Sequence, residues 1–116
     1  MPSVVGTMTK GAVFVKLVDR TDVITAPISK SGTYTATVSD DLILCDASGG
    51  GFTIDLYTAV GYSGKEVEIK KTDSSANTVT VDGNGAQTID GATTKVIQYQ
   101  YSSMRIISDG SNWSII

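Results

Sequence analysis

The sequence contains no histidine, one cysteine and only two prolines among its 116 residues. Without histidine, the usual base that activates a serine or cysteine nucleophile is missing, so no Ser-His-Asp or Cys-His site is available. The single cysteine, Cys45, has no internal disulfide partner, and its apolar neighbours predict a buried strand residue. No apolar run approaches the roughly 20 residues that a membrane-spanning helix needs. We therefore expect no enzymatic activity, no cofactor and no membrane partner.

The charge is small and unevenly distributed, with a net value of -3. Residues 1–30 hold four basic and two acidic side chains, whereas residues 31–116 hold five basic and ten acidic ones. An acidic body does not suit nucleic acid, because phosphates bind to basic surfaces. Met1 is not followed by a basic segment and an apolar segment, as in a secretory signal, so synthesis in the cytoplasm is expected.

Alternation of apolar and polar residues dominates the rest of the chain. In the central stretch 64–90, Val67 and Ile69 alternate with charged residues, and Val79 and Val81 alternate with threonines. This period of two predicts half-buried strands, with the lysines of KEVEIKK on the strand surface. Eight to ten such segments are separated by Gly, Asn, Asp and Ser turn signals, and no helix of persuasive length is found. The predicted fold is all-β, a small antiparallel β-sandwich of jelly-roll type, with no internal repeat that indicates a solenoid.

Acidic and glycine-rich segments are candidates for chemistry, but turns explain them better. Asp40 and Asp41 are adjacent, so in a strand they would point to opposite faces, and aspartates commonly cap their own turns. A calcium site needs six to eight oxygen ligands, whereas DGNG (82–85) supplies only Asp82 and Asn84. DASGGG (46–51) precedes a predicted strand and not the helix that a phosphate loop requires. No metal site is expected.

Five aromatic residues leave two alternatives open. They could form a platform for sugars, or they could lie in the core or at a subunit interface, which we favour. Trp113 lies between Asn112 and Ser114 and is expected to pack inward. The five residues are Tyr57, Tyr62, Tyr99, Tyr101 and Trp113.

Three runs of sequence, in this order, resemble a small β-domain found in tailed-bacteriophage virion proteins. They are TYTATVSDDLILCDASGGGFTIDL (33–56), GKEVEIKKTDSSANTVTVDGNGAQTIDG (64–91) and MRIISDGSNW (104–113). Similar modules occur in tail fibres, in tailspikes and in head decoration (cement) proteins, and the resemblance spans about residues 33–114. It implies a β-rich homotrimer. The predicted organisation is an N-terminal arm with the first strands (1–32) and a β-sandwich domain (33–116).

The resemblance predicts a capsid decoration protein that binds the outer surface of the phage head as a trimer and stabilises the shell. Its partners would be its own copies and the major capsid protein, and its location the virion. The alternative is a tail-fibre or tailspike module that binds a host-surface glycan. Pro2 and Gly6 discourage regular structure in the arm, so it is either a frayed end or, as we favour, a docking segment. The candidate capsid-docking residues are Val4, Val5, Met8 and Lys10, with Lys16 and Arg20 as weaker candidates.

Overall fold

The computed structural model describes residues 25–116, which form nine strands and no helix. The prediction of an all-β fold is confirmed for this part of the chain. In chain order the strands are β1 (Ile28–Lys30), β2 (Tyr34–Thr35), β3 (Leu42–Cys45), β4 (Phe52–Asp55), β5 (Glu66–Lys71), β6 (Val79–Asp82), β7 (Thr94–Ile97), β8 (Ser103–Ser108) and β9 (Trp113–Ile115).

The strands lie in two sheets, and the first six alternate between them. The five-stranded sheet has the order β9-β8-β5-β3-β1, and the four-stranded sheet has the order β2-β4-β6-β7. Strands β1, β3 and β5 run parallel to one another, as do β2, β4 and β6. The chain therefore winds through three parallel rungs, which we call the coil. Strands β7, β8 and β9 then close it with antiparallel pairings.

The prediction of an antiparallel sandwich is wrong in strand direction, because four of the seven strand pairings are parallel. The coil also shows why no repeat is visible in the sequence. Ile28 pairs with Ile43, fifteen residues later, whereas Ile43 pairs with Ile69, twenty-six residues later. Crossings of such different length leave the pairing regular in space but irregular along the chain.

One hydrophobic core lies between the sheets, since its buried side chains come from both. In β4, Phe52 and Ile54 are buried while Thr53 and Asp55 are not, and β3, β5 and β6 alternate in the same way. The parallel register stacks Ile43 on Ile69, so that apolar side chains form continuous rows across the strands. Burying each such side chain contributes about 1.5–3 kcal/mol, which makes these rows the main source of stability.

Both ends of the coil carry a lysine that points toward the core side of its strand. Lys30 on β1 pairs with buried Cys45, and Lys95 on β7 pairs with buried Val81. The Lys30 ammonium lies 4.1 Å from the centroid of the Tyr34 ring on the other sheet. Inward-pointing charges on edge strands disfavour the addition of a further strand, because that strand would bury the charge.

Candidate functional site

The predicted docking residues of the arm, Val4 to Arg20, lie outside the described residues. Strand β1, which falls within the predicted segment 1–32, pairs with β3 in the five-stranded sheet. The candidate site is therefore described from the remaining features: the turns that join the rungs, the exposed aromatic residues and the outer face of the four-stranded sheet.

Lys71 is the last residue of β5, where the chain crosses to β6, and its side chain is fully buried. Its ammonium donates to the Asp73 carboxylate at 2.9 Å, to the Asp73 carbonyl at 3.0 Å and to the Ser75 carbonyl at 2.9 Å. All three N–H groups of the ammonium are thus satisfied, as a buried charge requires. The interpretation of Lys71 as strand surface is wrong.

Asp73 connects this lysine to the turn of the previous rung. Its second carboxylate oxygen accepts a 2.7 Å hydrogen bond from the Ala47 N–H, and the Ser75 hydroxyl donates to the first. Burial favours protonation of the Asp73 carboxyl, but hydrogen bonds from Ser75, Lys71 and the backbone outweigh it and hold its pKa well below the usual value. Asn77 adds a 2.8 Å hydrogen bond to the Ala47 carbonyl. We call these residues (Ala47, Lys71, Asp73, Ser75 and Asn77) the lysine lock.

The lock gives a structural role to two of the motifs on which the resemblance rests. DASGGG contributes Ala47, and KKTDSSAN contributes the rest. The sequence held a signal for the lock, because Lys71 continues the buried positions Val67 and Ile69 at a spacing of two. A charged residue on the buried side of a strand indicates a paired charge, and Asp73 is the nearest acidic residue along the chain.

Other candidate chemical groups also serve turns. The Asp40 carboxylate accepts from the Thr37 N–H and the Tyr34 hydroxyl, both at 2.8 Å, so the interpretation as a turn cap is confirmed. The bond to Asp40 raises the pKa of Tyr34. Asp109 accepts from the backbone N–H groups of Asn112 and Ser111, which lower its pKa.

The DGNG segment is a tight turn, and its first glycine is required by space. A Cβ at Gly83 would lie 2.3 Å from the Gln87 carbonyl oxygen, far inside van der Waals contact. The Gly83 N–H donates to the Thr93 carbonyl at 2.9 Å, which ties this turn to β7. No group of three or more residues suited to hold a metal ion is found among residues 25–116.

Cys45 is buried, as predicted, with a relative exposure of 0%. Burial raises the pKa of its thiol to about 12. The nucleophilic thiolate is therefore scarce at neutral pH, and Cys45 acts as a small core residue.

The five aromatic residues separate into two groups. Trp113 packs inward as expected, and its ring meets that of Tyr57 edge-on with centroids 5.3 Å apart. Tyr62 adds a second edge-on contact to Tyr57 at 5.6 Å. Tyr99 and Tyr101 are the opposite case, since they are 70% and 64% exposed and do not belong to the core.

Tyr99 and Tyr101 project from the crossing between β7 and β8, beside the lysine lock. The Tyr101 N–H donates to the Lys71 carbonyl at 2.7 Å, and the Ser102 N–H donates to the Tyr99 carbonyl at 3.1 Å. The Lys70 ammonium lies 5.7 Å from the centroid of the Tyr101 ring. We call Lys70, Tyr99 and Tyr101 the aromatic knob. The alternation of apolar and polar residues continues to Tyr101 in the sequence, but β7 ends at Ile97 and a turn follows.

The outer face of the four-stranded sheet carries short polar side chains. Thr53 pairs with Thr80, and Asp55 pairs with Asp82 in the parallel register of β4 and β6. Two carboxylates thus occupy directly opposed positions, an arrangement that is destabilising on its own. We call Asp55 and Asp82 the acidic pair. It lies at the carboxyl ends of β4 and β6, whereas the aromatic knob lies near their amino ends.

The part of the chain that the structure describes holds no helix long and apolar enough to cross a membrane. In comparisons with known proteins, no protein-family model matches the chain and no curated protein shows significant similarity to it.

Proposed function

We propose that the protein is a structural virion component of a tailed bacteriophage, a decoration protein that binds the outer surface of the head as an oligomer of identical copies. Such a protein stabilises the shell by mass action, because it binds the assembled form and makes opening more costly. Its partner is the major capsid protein, and no chemical step is involved.

The observation that carries the proposal concerns the sequence motifs on which the resemblance rests. Their polar side chains form hydrogen bonds within the protein's own turns. Lys71, Asp73, Ser75 and Asn77 are joined to one another or to the previous turn, and Asp40 and Asp109 cap turns. These groups hold the coil rigid and do not converge on a common cavity. A rigid body whose polar motifs serve its own turns suits a mechanical role, with binding left to the surface and the N-terminal arm.

The arm supplies the specific contact with the shell in this proposal. Val4, Val5 and Met8 offer apolar anchors, and Lys10, Lys16 and Arg20 offer positive charge to an acidic capsid surface. The contact we expect is strand addition, in which the arm pairs with an exposed sheet edge of the capsid protein.

Deletion of residues 1–10 tests the arm. Purified heads that lack the protein are mixed with the full chain or with the truncated chain, and bound protein is measured after sedimentation of the heads. The truncated chain is expected to lose head binding while keeping its melting temperature and the number of copies in its oligomer. Full occupancy of the heads by the truncated chain would show that the arm is not the docking segment.

A tail-fibre or tailspike module that binds a host-surface glycan is the second candidate. The exposure of Tyr99 and Tyr101 favours it, because tyrosine rings can stack on sugars and also form hydrogen bonds. The number of copies per particle separates the two functions. A copy number comparable to that of the major capsid protein supports decoration, whereas that of a minor tail component supports the fibre module.

A further inference from the structure

The aromatic knob is held in an unfavourable backbone conformation. Tyr101 has a φ of 65°, in the left-handed region that bulky residues rarely adopt. A residue of this kind costs on the order of 1–2 kcal/mol relative to an ordinary backbone conformation. Glycine would occupy the position without this cost. An exposed tyrosine at such a site contributes little to folding, so strain and exposure together indicate a role in binding.

The shape of the knob favours a protein partner over a small ligand. Sites for small molecules are concave and enclose most of the ligand. Two cavities among the described residues, of about 550 and 370 Å³, are lined by other residues and not by either tyrosine. A rigid projecting tyrosine instead resembles the aromatic anchors that dominate protein interfaces. Backbone hydrogen bonds from Tyr101 to Lys71 and from Ser102 to Tyr99 fix the backbone that carries both tyrosines.

The chemistry of the knob matches a surface on the same molecule. The knob presents two phenol O–H groups and the Lys70 ammonium, all of which can donate hydrogen bonds. The carboxylates of the acidic pair are acceptors only, and neither the Asp55 nor the Asp82 carboxylate accepts a hydrogen bond from a donor within residues 25–116. Residues 25–116 hold six basic and ten acidic side chains, so this positive site on an acidic body is suited to another copy.

The positions of the two surfaces determine what kind of contact they make. The aromatic knob and the acidic pair lie toward opposite ends of the strands, so within one molecule they do not meet. A contact between the knob of one copy and the acidic pair of the next joins two different surfaces. Such heterologous contacts generate a closed ring when the rotation between neighbours closes.

We propose that the aromatic knob of one copy docks on the acidic pair of a neighbouring copy, with Lys70 placed against Asp55 and Asp82. The contact relieves the repulsion between the two carboxylates and buries the exposed rings of Tyr99 and Tyr101. This inference rests on the oligomer of the proposed function and adds the surfaces through which the copies associate.

Sedimentation equilibrium of the full-length protein, without heads, tests the contact. The wild-type protein is expected to associate, and the Tyr99→Ser/Tyr101→Gly variant is expected to weaken association by about tenfold or more, as loss of an interface anchor does. Ile116→Ser is the matched control, because Ile116 is also an exposed apolar residue, at 58%, but lies after β9. It should associate like the wild type.

A charge exchange tests the pairing of the two surfaces directly. Lys70→Glu alone and Asp82→Lys alone should each weaken association, and the double variant should restore it. The single variant Tyr101→Gly should keep or raise the melting temperature, because glycine accepts the positive φ. A purely structural tyrosine would instead lower it.

Three results would overturn the inference: a monomeric wild-type protein, unchanged association of the tyrosine variant, or failure of the charge exchange to restore association. These results are separable from those of head binding. A monomer that still decorates heads removes the knob contact and leaves the decoration proposal in place. An oligomer that does not bind heads removes the decoration proposal and leaves the knob contact in place.

Discussion

Replacement of Lys71 by methionine is the most direct test of what holds the rungs together. Methionine keeps most of the apolar stem but removes the ammonium and its three hydrogen bonds, to Asp73 and Ser75. Two backbone carbonyls then lose a partner, and the Asp73 carboxylate loses the cation beside it. The Lys71 side chain is fully buried, so water does not replace these interactions at the same site.

The expected loss is large for one side chain. Breaking a buried ion pair by removal of one partner costs about 3–5 kcal/mol. In a domain of this size, each kcal/mol corresponds to roughly 4–8 °C in melting temperature. Lys71→Met should therefore lower the melting temperature by about 12 °C or more. It should also weaken the protection from hydrogen exchange of the Ala47 N–H, which donates to Asp73.

Lys65→Met is the matched control, since it makes the same substitution just before β5, at a lysine whose side chain makes no hydrogen bond or ion pair within residues 25–116. Surface substitutions usually change stability by less than about 0.5 kcal/mol, so its melting temperature should stay close to that of the wild type. Thermal unfolding followed by circular dichroism measures both variants. If Lys71→Met and Lys65→Met both melt near the wild type, the lysine lock does not stabilise the fold as argued.

Three further outcomes follow from the turns and the core. Gly83→Ala should destabilise the protein strongly in urea unfolding because its Cβ would meet the Gln87 carbonyl, whereas Gly49→Ala, with open space around it, should not. Cys45 should react with a thiol reagent at pH 8 only as fast as the protein unfolds, and rapid labelling of the folded protein would contradict its burial. The lowered pKa of Asp73 contributes stability above its unfolded value of about 3.9, and this is lost as the pH falls below about 4. Asp73→Asn should therefore be less stable at pH 7 and show a shallower decline in acid-unfolding titrations.

Alternation was sufficient to predict the strands but not their direction. Val67, Ile69, Val79 and Val81 are buried as their spacing indicates. Alternation with a period of two is the same in parallel and antiparallel sheets, so it carries no information on pairing. The parallel coil requires comparison of positions fifteen to twenty-seven residues apart, and the unequal crossings conceal them.

The candidate surfaces were less predictable than the strands. Tyr99 continues an apparently regular strand pattern in the sequence, but the chain turns after Ile97 and leaves the tyrosine outside the core. The acidic pair becomes visible only when β4 and β6 lie side by side, because Asp55 and Asp82 are far apart along the chain. Lys71 could have been recognised from its place in the buried period, whereas the tyrosines and the acidic pair required the pairing of strands.

The lysines at the two ends of the coil also determine how such a domain can change in length. Lys30 and Lys95 lie on the edge strands β1 and β7, on the side that faces the core. The rungs between these strands pack through matched rows of apolar side chains. A duplicated rung inserted in the middle would find the same rows above and below it and leave both charged ends intact. A rung added at either end would have to bury a lysine first. Growth from within, with both terminal strands kept, is therefore the route by which such a coil lengthens.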